Sequence, residues 1–236
     1  MSSGVKLSDA KSWSETSSRS RRALMKAGKW INDQGWCPAT GGNFSARLFD
    51  DCDVHFTGSN HEVSRCVVTA SGFHKGHLRE EHFLEVDLMG QPIRSDLNVR
   101  PSAETLVHVS LYRLDPDIGA VLHAHSVPNT VLSLIHDSEQ LVIQGFEMQK
   151  ALSGQVTHET SIALEIINNT QDMPELARWV EERWHERGGL KWGLLVRGHG
   201  VYVWGRDVTE ARRHLEGVEF LLSCLLELKK LKAASK

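Results

Sequence analysis

Two histidines, His123 and His125, stand two positions apart at the end of an apolar run, in "GAVLHAHSVPNT" at 119–130. Side chains two apart on a β-strand point to the same face, so both imidazoles would project together from one edge of a sheet. One interpretation is a chance pair exposed to solvent at a strand end. The other is half of a metal site, and the remainder of the chain has to distinguish the two.

If His123 and His125 form half of a metal site, a third histidine would complete it. His199 lies between Gly198 and Gly200 in "RGHGVYVWG", where a tight turn is expected to join two apolar strands. Glycine on both sides allows the backbone to approach another group closely. Three histidine ligands with an open fourth position are typical of catalytic metal sites, whereas structural zinc sites are closed and rich in cysteine. Only the fold could bring His199 to the other two.

Three further segments are suited to an anion. "TGGNFSAR" and "TASG" are turns rich in Gly, Ser, Thr and Asn beside predicted strands, and Ser102 is placed at a predicted helix start. Such turns offer backbone N–H groups and short hydroxyls, and a helix N-terminus favours negative charge. Each could be merely structural, but together they indicate an anionic substrate.

Composition excludes several classes of protein. The 236 residues carry a net charge of -3, and 40% are hydrophobic, which is ordinary for a soluble globular protein and gives no basic surface for nucleic acid. No apolar run approaches the roughly 20 residues that span a membrane, and the first residues lack the apolar core of a signal peptide. A cytosolic location without nucleic-acid or membrane partners is therefore expected. The cysteines are expected to be reduced thiols: Cys37, Cys52, Cys66 and Cys224.

Hydrophobic periodicity predicts the elements that must position these residues. Helices are predicted for Ser18 to Gln34, for a segment capped by Ser102, and for "VPNTVLSLIH", "DMPELARWVEERWHERG" and "DVTEARRHLEGVEFLLSCLLELKKL". Strands are predicted in "DVHFTG", "CVVTASG", "GAVLHAHS", "LVIQGFEMQKAL" and, twice, "GLLVRGHGVYVWG". This order predicts a single α/β domain at 18–232, with a mostly antiparallel sheet covered by helices on both faces. The residues at 1–17 are predicted to form a flexible arm.

Six motifs together make the chain recognisable. "GGNFSAR", "VTASGFHKGHL", "PSAETLVHVSLYR", "AVLHAHS", "QGFEMQKAL" and "VRGHGVYVWG" occur in the order and spacing of the class II aldolase/adducin-like family of zinc-dependent sugar-phosphate enzymes, which the chain resembles from about residue 18 to 230. The resemblance implies a three-layer α/β/α sandwich and one zinc ion per subunit. It also implies a homotetramer with sites near the subunit interfaces.

The resemblance also assigns roles to single residues. His123, His125 and His199 match the zinc ligands. Glu104 and Glu147 match acidic residues that relatives use for acid/base work, and which of the two takes the proton is left open. The positions that match a phosphate cradle are Asn43, Ser71, Gly72 and Ser102, with Lys75 as a weaker candidate.

These groups suit removal of water from a 2-keto sugar phosphate. Zinc would stabilise the enediolate as a Lewis acid, a glutamate would carry the proton, and the cradle would orient the substrate. The same groups serve an aldolase or epimerase on another sugar phosphate equally well. A non-enzymatic, adducin-like scaffold would be expected to lose the histidines, which are all present. A zinc hydrolase acting through bound hydroxide is the last alternative.

Overall fold

The computed structural model describes residues 13–49, 65–94 and 99–235. Within these ranges the chain forms five α-helices and eight β-strands. The helices are α1 (Glu15–Asp33), α2 (Thr105–Leu114), α3 (Val127–Ile135), α4 (Met173–Glu186) and α5 (Val208–Ala234). The strands are β1 (Asn43–Leu48), β2 (Arg65–Thr69), β3 (Phe83–Asp87), β4 (Ala120–Ala124), β5 (Gln140–Ile143), β6 (Ile162–Ile167), β7 (Gly193–Val196) and β8 (Gly200–Gly205).

The strands make one sheet in the order β3-β2-β1-β4-β8-β7-β6-β5. Every neighbouring pair is antiparallel except β6 and β7, which are parallel. The predicted mostly antiparallel sheet is confirmed. For function, the important pairing is that of β4 with β8 at the centre of the sheet. Strand β4 contains His123 and ends just before His125, and β8 begins directly after His199.

Helices cover both faces of the sheet, which confirms the predicted α/β/α sandwich. On one face, α1, α3 and α5 bury apolar side chains that include Leu24, Ile31, Leu132, Leu215 and Leu222. On the other face, α2 and α4 bury Val107, Leu111, Leu176 and Val180. Each helix therefore contributes one apolar stripe to a core that the sheet divides in two.

Helix α1 begins earlier than its periodicity predicts. Ser14 caps it, with the hydroxyl accepting a hydrogen bond from the Ser17 amide at 3.2 Å, so the helix starts at Glu15 and not at Ser18. A serine cap outweighs the missing apolar side chains in this first turn. The last residues of the predicted arm are thus helical, and residues 1–12 lie outside the described part of the chain.

Helix α2 begins later than predicted, and Ser102 is not its cap. The helix starts at Thr105, and Glu104 is the capping residue, with no side-chain bond to the helix amides. The cause is the preceding residue, Pro101, which pairs with Ala70 as an isolated antiparallel bridge and keeps the chain extended there. The Ser102 carbonyl accepts from the Thr105 amide at 3.0 Å, which makes a turn ahead of the helix.

The remaining sequence predictions have mixed outcomes. Asp172 and Asp207, the first residues of two predicted helical segments, cap α4 and α5, each accepting from an amide three residues later. The predicted strand "DVHFTG" and Cys52 lie outside the described residues. The other three cysteines are free thiols. In the part of the chain that is described, no helix is both long and apolar enough to cross a membrane.

Candidate metal centre

The pairing of β4 with β8 gathers the three histidines. His123 lies opposite Tyr202 in the register, and His199 occupies the turn that leads into β8. One ring nitrogen from each of His123, His125 and His199 lies within 4.8 Å of the others. The fold therefore brings His199 to the pair His123 and His125.

Helix α3 holds the turn that carries His199. Thr130 donates from its hydroxyl to the His199 carbonyl at 3.1 Å, and the Gly198 amide donates to the Ser133 hydroxyl at 3.0 Å. Arg197 reaches the Ser133 carbonyl at 3.0 Å. Helix α3 begins just after His125. The helix that follows one histidine of the group therefore fixes the position of another.

The ring of His123 is oriented from two sides. Its Nδ1 lies 3.0 Å from the Val201 carbonyl oxygen, which can only accept, so Nδ1 carries the proton and Nε2 is left to bind a metal. The Tyr202 ring stacks on the imidazole with centroids 4.0 Å apart. His125 Nε2 lies 2.7 Å from His123 Nε2, so these two nitrogens face the same point.

Two glycines allow the backbone to reach the imidazoles. A Cβ atom on Gly200 would lie 2.6 Å from His125 Cδ2 and 2.9 Å from His123 Cε1. A Cβ on Gly41 would lie 2.7 Å from His125 Nδ1. Any side chain at these positions would displace a ring, which explains the glycine of "TGGNFSAR" at 41 and the glycine of "RGHGVYVWG" at 200.

The electrostatics keep the buried rings neutral. Burial lowers the pKa of His125 to about 4, and burial likewise holds the pKa of His123 well below its usual range. Neutral imidazole is the form that binds a metal. Three convergent imidazole nitrogens fit a catalytic zinc ion.

Glu104 stands at the edge of this group. Its Oε1 lies 3.1 Å from His199 Nε2 and 3.6 Å from His123 Nε2, and its Oε2 accepts from Asn43 Nδ2. Burial alone would raise the pKa of Glu104, but its hydrogen bonds with His199 and Asn43 hold it well below its usual range. Both carboxylate oxygens are therefore engaged.

Glu147 is placed differently. It opens a short 3-10 helix (Glu147–Ala151), and its side chain is 68% exposed. Within the described residues it pairs with Lys150 at 2.6 Å and His158 at 3.3 Å, and with none of the three histidines. The hydrogen bond from Lys150 lowers the pKa of Glu147. The role that the sequence predicts for Glu147 stays a prediction.

The predicted phosphate positions lie together beside Glu104. The bridge between Ala70 and Pro101, and a 2.9 Å bond from the Ser71 amide to the Arg100 carbonyl, place the Ser71 turn next to Ser102. Asn43 Nδ2 lies 3.3 Å from Ser102 Oγ. The fold therefore brings Asn43, which begins β1 and is not in the predicted turn, to the turns that carry Ser71 and Ser102.

Two further members of this region have specific local roles. Gly72 adopts a φ of 85°, with open space where a Cβ would be. The weaker candidate Lys75 is buried, and its ammonium donates to the carbonyls of Thr40 and Phe73 at 2.7 Å each. It ties together the two turns that approach the site, and burial lowers its pKa.

Sequence reasoning missed several residues that support the site. His108 is buried and binds Asn43, and it follows Glu104 by four positions, the spacing of one helix face. This spacing alone predicts that His108 lies on the same helix face as Glu104. The contact of Thr130 with the His199 carbonyl had no such signal, because it joins residues far apart in the chain.

Comparisons with known proteins agree with this geometry. Residues 22–226 match the family model described as Class II Aldolase and Adducin N-terminal domain. A protein of Serratia proteamaculans (strain 568) named methylthioribulose-1-phosphate dehydratase is 49% identical, covering 92% of this chain and 99% of the relative. A protein of the same name from Pectobacterium carotovorum subsp. carotovorum (strain PC1) is 47% identical, covering 92% and 98%.

Solved structures share the fold. The l-fuculose-1-phosphate aldolase from Thermus thermophilus aligns with a TM-score of 0.67 at 24% identity, covering 92% of this chain and 98% of that one. A sugar-phosphate aldolase from Thermotoga maritima gives 0.66 at 19% identity, covering 91% and 96%. At such identities the likeness bears on the fold alone.

Proposed function

Because the chain belongs to the class II aldolase and adducin family, we propose that it is a hydro-lyase of methionine salvage that dehydrates 5-methylthioribulose 1-phosphate. The single observation that carries the proposal is near-half identity, along nine-tenths of the chain, to relatives named methylthioribulose-1-phosphate dehydratase. The intact group of three histidines supports an enzyme over a binding protein.

The reaction removes one water. A proton leaves carbon 3 of the ketose phosphate, the carbon-4 hydroxyl departs as water, and the enol that remains tautomerises to a 2,3-diketo-5-methylthiopentyl 1-phosphate. One zinc ion per subunit, held by His123, His125 and His199, would supply Lewis acidity to the carbonyl oxygen. Imidazole binds a metal in its neutral form, so a zinc centre held by these three side chains would keep its positive charge.

The two glutamates take different parts in this proposal. Glu104 already uses both oxygens, one toward the imidazoles and one toward Asn43, so it is suited to orient the substrate at a fixed place. Glu147 would exchange the proton, and its exposed ion pairs with Lys150 and His158 are of the weak surface kind that can open. Positioned general acid/base groups typically contribute about 10²- to 10⁴-fold.

The turns beside Glu104 would bind the phosphate group. Asn43, Ser71, Gly72 and Ser102 offer backbone amides and short polar side chains where three segments meet. The buried Lys75 ammonium adds positive charge behind these turns without reaching into the open space. An anion bound there would fix one end of the substrate, which contributes orientation and not chemistry.

The protein would act as a homotetramer. Several large apolar side chains are exposed on the elements around the metal centre: Val127, Leu134 and Ile135 on α3, Met148 in the 3-10 helix, and Phe220 on α5. Exposed apolar side chains on adjoining elements are typical of a protein–protein interface. Subunit contacts there would cover the helix that clamps the His199 turn.

Product analysis tests the reaction. We would incubate zinc-loaded protein with 5-methylthioribulose 1-phosphate and follow the mixture by mass spectrometry. A diketone phosphate lighter by one water is the expected product. Two smaller fragments would instead identify an aldolase, and an isomer of unchanged mass an epimerase. No reaction with zinc bound would reject this substrate.

Metal analysis tests the ligand set. His199→Ala should lose most of the bound zinc, because two imidazoles alone hold the ion weakly. The control is His136→Ala, since His136 lies at the far end of α3 and its ring bonds to the Gln140 carbonyl, away from the three histidines. Full zinc occupancy in His199→Ala, measured by elemental analysis after dialysis, would reject the proposed ligands.

A further inference from the structure

A chain of hydrogen bonds leads from Glu104 into the core between α2 and β1. Asn43 donates to the Glu104 carboxylate, and Asn43 Oδ1 lies 2.5 Å from His108 Nε2. His108 Nδ1 lies 2.7 Å from Ser45 Oγ, which in turn lies 2.7 Å from the Tyr112 hydroxyl. We call Asn43, His108, Ser45 and Tyr112 the buried relay.

The spacing of the relay comes from two regular elements. Glu104, His108 and Tyr112 follow each other at four-residue intervals and so share one face of α2 and its capping turn. Asn43 and Ser45 alternate along β1 and share one face of that strand. Because helix and strand pack together, the two rows interlock, and all four relay side chains are at most 2% exposed.

Only one arrangement of protons satisfies every member of the relay. A carboxylate is purely an acceptor, so the Asn43 amide must turn its NH₂ group to Glu104 and its oxygen to His108. His108 Nε2 must then be the donor. Burial lowers the pKa of His108 to about 4, so the ring carries a single proton at neutral pH and Nδ1 accepts from Ser45. The Ser45 oxygen finally accepts from Tyr112.

This arrangement gives His108 a role beyond packing. We propose that His108 is a positioning residue: by donating from Nε2 to Asn43 it fixes the amide orientation that holds Glu104 against the metal-binding histidines. Without that donor the amide could reverse, and its oxygen would then face the carboxylate. The effect on turnover rests on the proposed function, but the effect on the amide and on the tautomer does not.

The tautomer of His108 is the first test, and it needs no substrate. Nitrogen-15 NMR distinguishes an imidazole protonated on Nε2 from one protonated on Nδ1, and the His108→Gln spectrum identifies the signal. We expect neutral His108 with the proton on Nε2 at pH 7, with and without zinc. A proton on Nδ1, or a doubly protonated ring, would overturn the proposal even if the protein proves to be a dehydratase.

Turnover with matched variants is the second test. His108→Phe removes both ring nitrogens, and loss of a group that orients a site residue typically costs about ten- to a hundredfold. His108→Gln keeps an N–H near Asn43 and should recover part of the loss. The control is His214→Phe, because His214 is also buried and also makes two ring hydrogen bonds, to Trp204 and Ser153, away from the centre.

The outcomes separate the two proposals. A loss in His108→Phe no larger than in His214→Phe, with zinc content unchanged, would show that His108 serves packing alone. An inactive unaltered protein would reject the proposed reaction and leave the NMR result standing. If His108→Phe fails to fold, the tautomer of the unaltered protein decides.

Discussion

At the scale of single residues, the two glutamates differ in surroundings more than in chemistry. Glu104 is enclosed by imidazoles and by Asn43, whereas Glu147 is exposed and paired with Lys150 and His158. An enclosed carboxylate with both oxygens engaged can hold a substrate in place. The ion pairs of an exposed carboxylate are weak and can open, after which the group can take up a proton.

Replacing Glu147 by glutamine distinguishes the roles of the two glutamates. Glu147→Gln should keep zinc and phosphate binding but lower turnover at least about a hundredfold, because an amide cannot carry the proton. The measurement is kcat together with zinc content. Glu159→Gln is the control, as it alters an exposed glutamate in the same loop. Near-normal turnover of Glu147→Gln would assign the proton to Glu104.

At the scale of elements, a buried carboxylate joins α5 to the first turn of α3. Glu219 accepts from Ser126 at 2.5 Å and from Asn129 at 2.7 Å, and Ser126 also caps α3. These contacts fix the start of the helix that follows His125. Burial raises the pKa of Glu219 to about 7, although both donors oppose the shift.

This raised pKa predicts a pH-dependent stability. A carboxyl whose folded pKa exceeds its unfolded value contributes stability that is fully present at low pH and is lost as pH rises to about 7. The unfolding free energy of the unaltered protein, relative to Glu219→Gln, should therefore fall by about 2 kcal/mol between pH 5 and 8.

Urea unfolding at the two pH values provides the measurement. Taking the difference between protein and variant cancels the titration of all other groups. Glu216→Gln is the control, because Glu216 lies on the same helix with its side chain in solvent. A difference that stays constant or grows with pH would contradict a buried, partly protonated Glu219.

At the scale of the whole molecule, the exposed apolar side chains would connect the proposed assembly with the candidate metal centre. Leu134 is 62% exposed, and its Cδ1 would lie 3.2 Å from a Cβ placed on Gly198, beside His199. A subunit packed on α3 would cover Leu134 and restrain that turn. Assembly and metal binding are therefore expected to depend on each other.

A charge at this surface should separate the subunits. Leu134→Glu is expected to convert a tetramer into smaller species, because burying an unpaired carboxylate at an interface is unfavourable. Light scattering after size-exclusion chromatography gives the mass. Met89→Glu, at a comparably exposed apolar residue after β3, is the control and should remain a tetramer. A monomeric unaltered protein would reject the assembly.

Local patterns in the sequence predict the five helices, five of the eight strands and much of the proposed chemistry. Apolar periodicity and capping residues are local, so the hairpin around His199, the strand of His123 and the caps Asp172 and Asp207 could all be predicted. The glycines beside the histidines also carried information, because only glycine permits the observed approach to the rings.

The contacts by which helices, strands and site residues hold one another in place follow only from the tertiary structure. Pairing with Ala70 delays α2 and displaces Ser102 from its predicted cap, which no local pattern indicates. The relay through His108 and the bonds of Glu219 join residues distant in sequence. Such contacts depend on which faces of helix and strand meet, and that is settled only when the whole sheet packs between its helices.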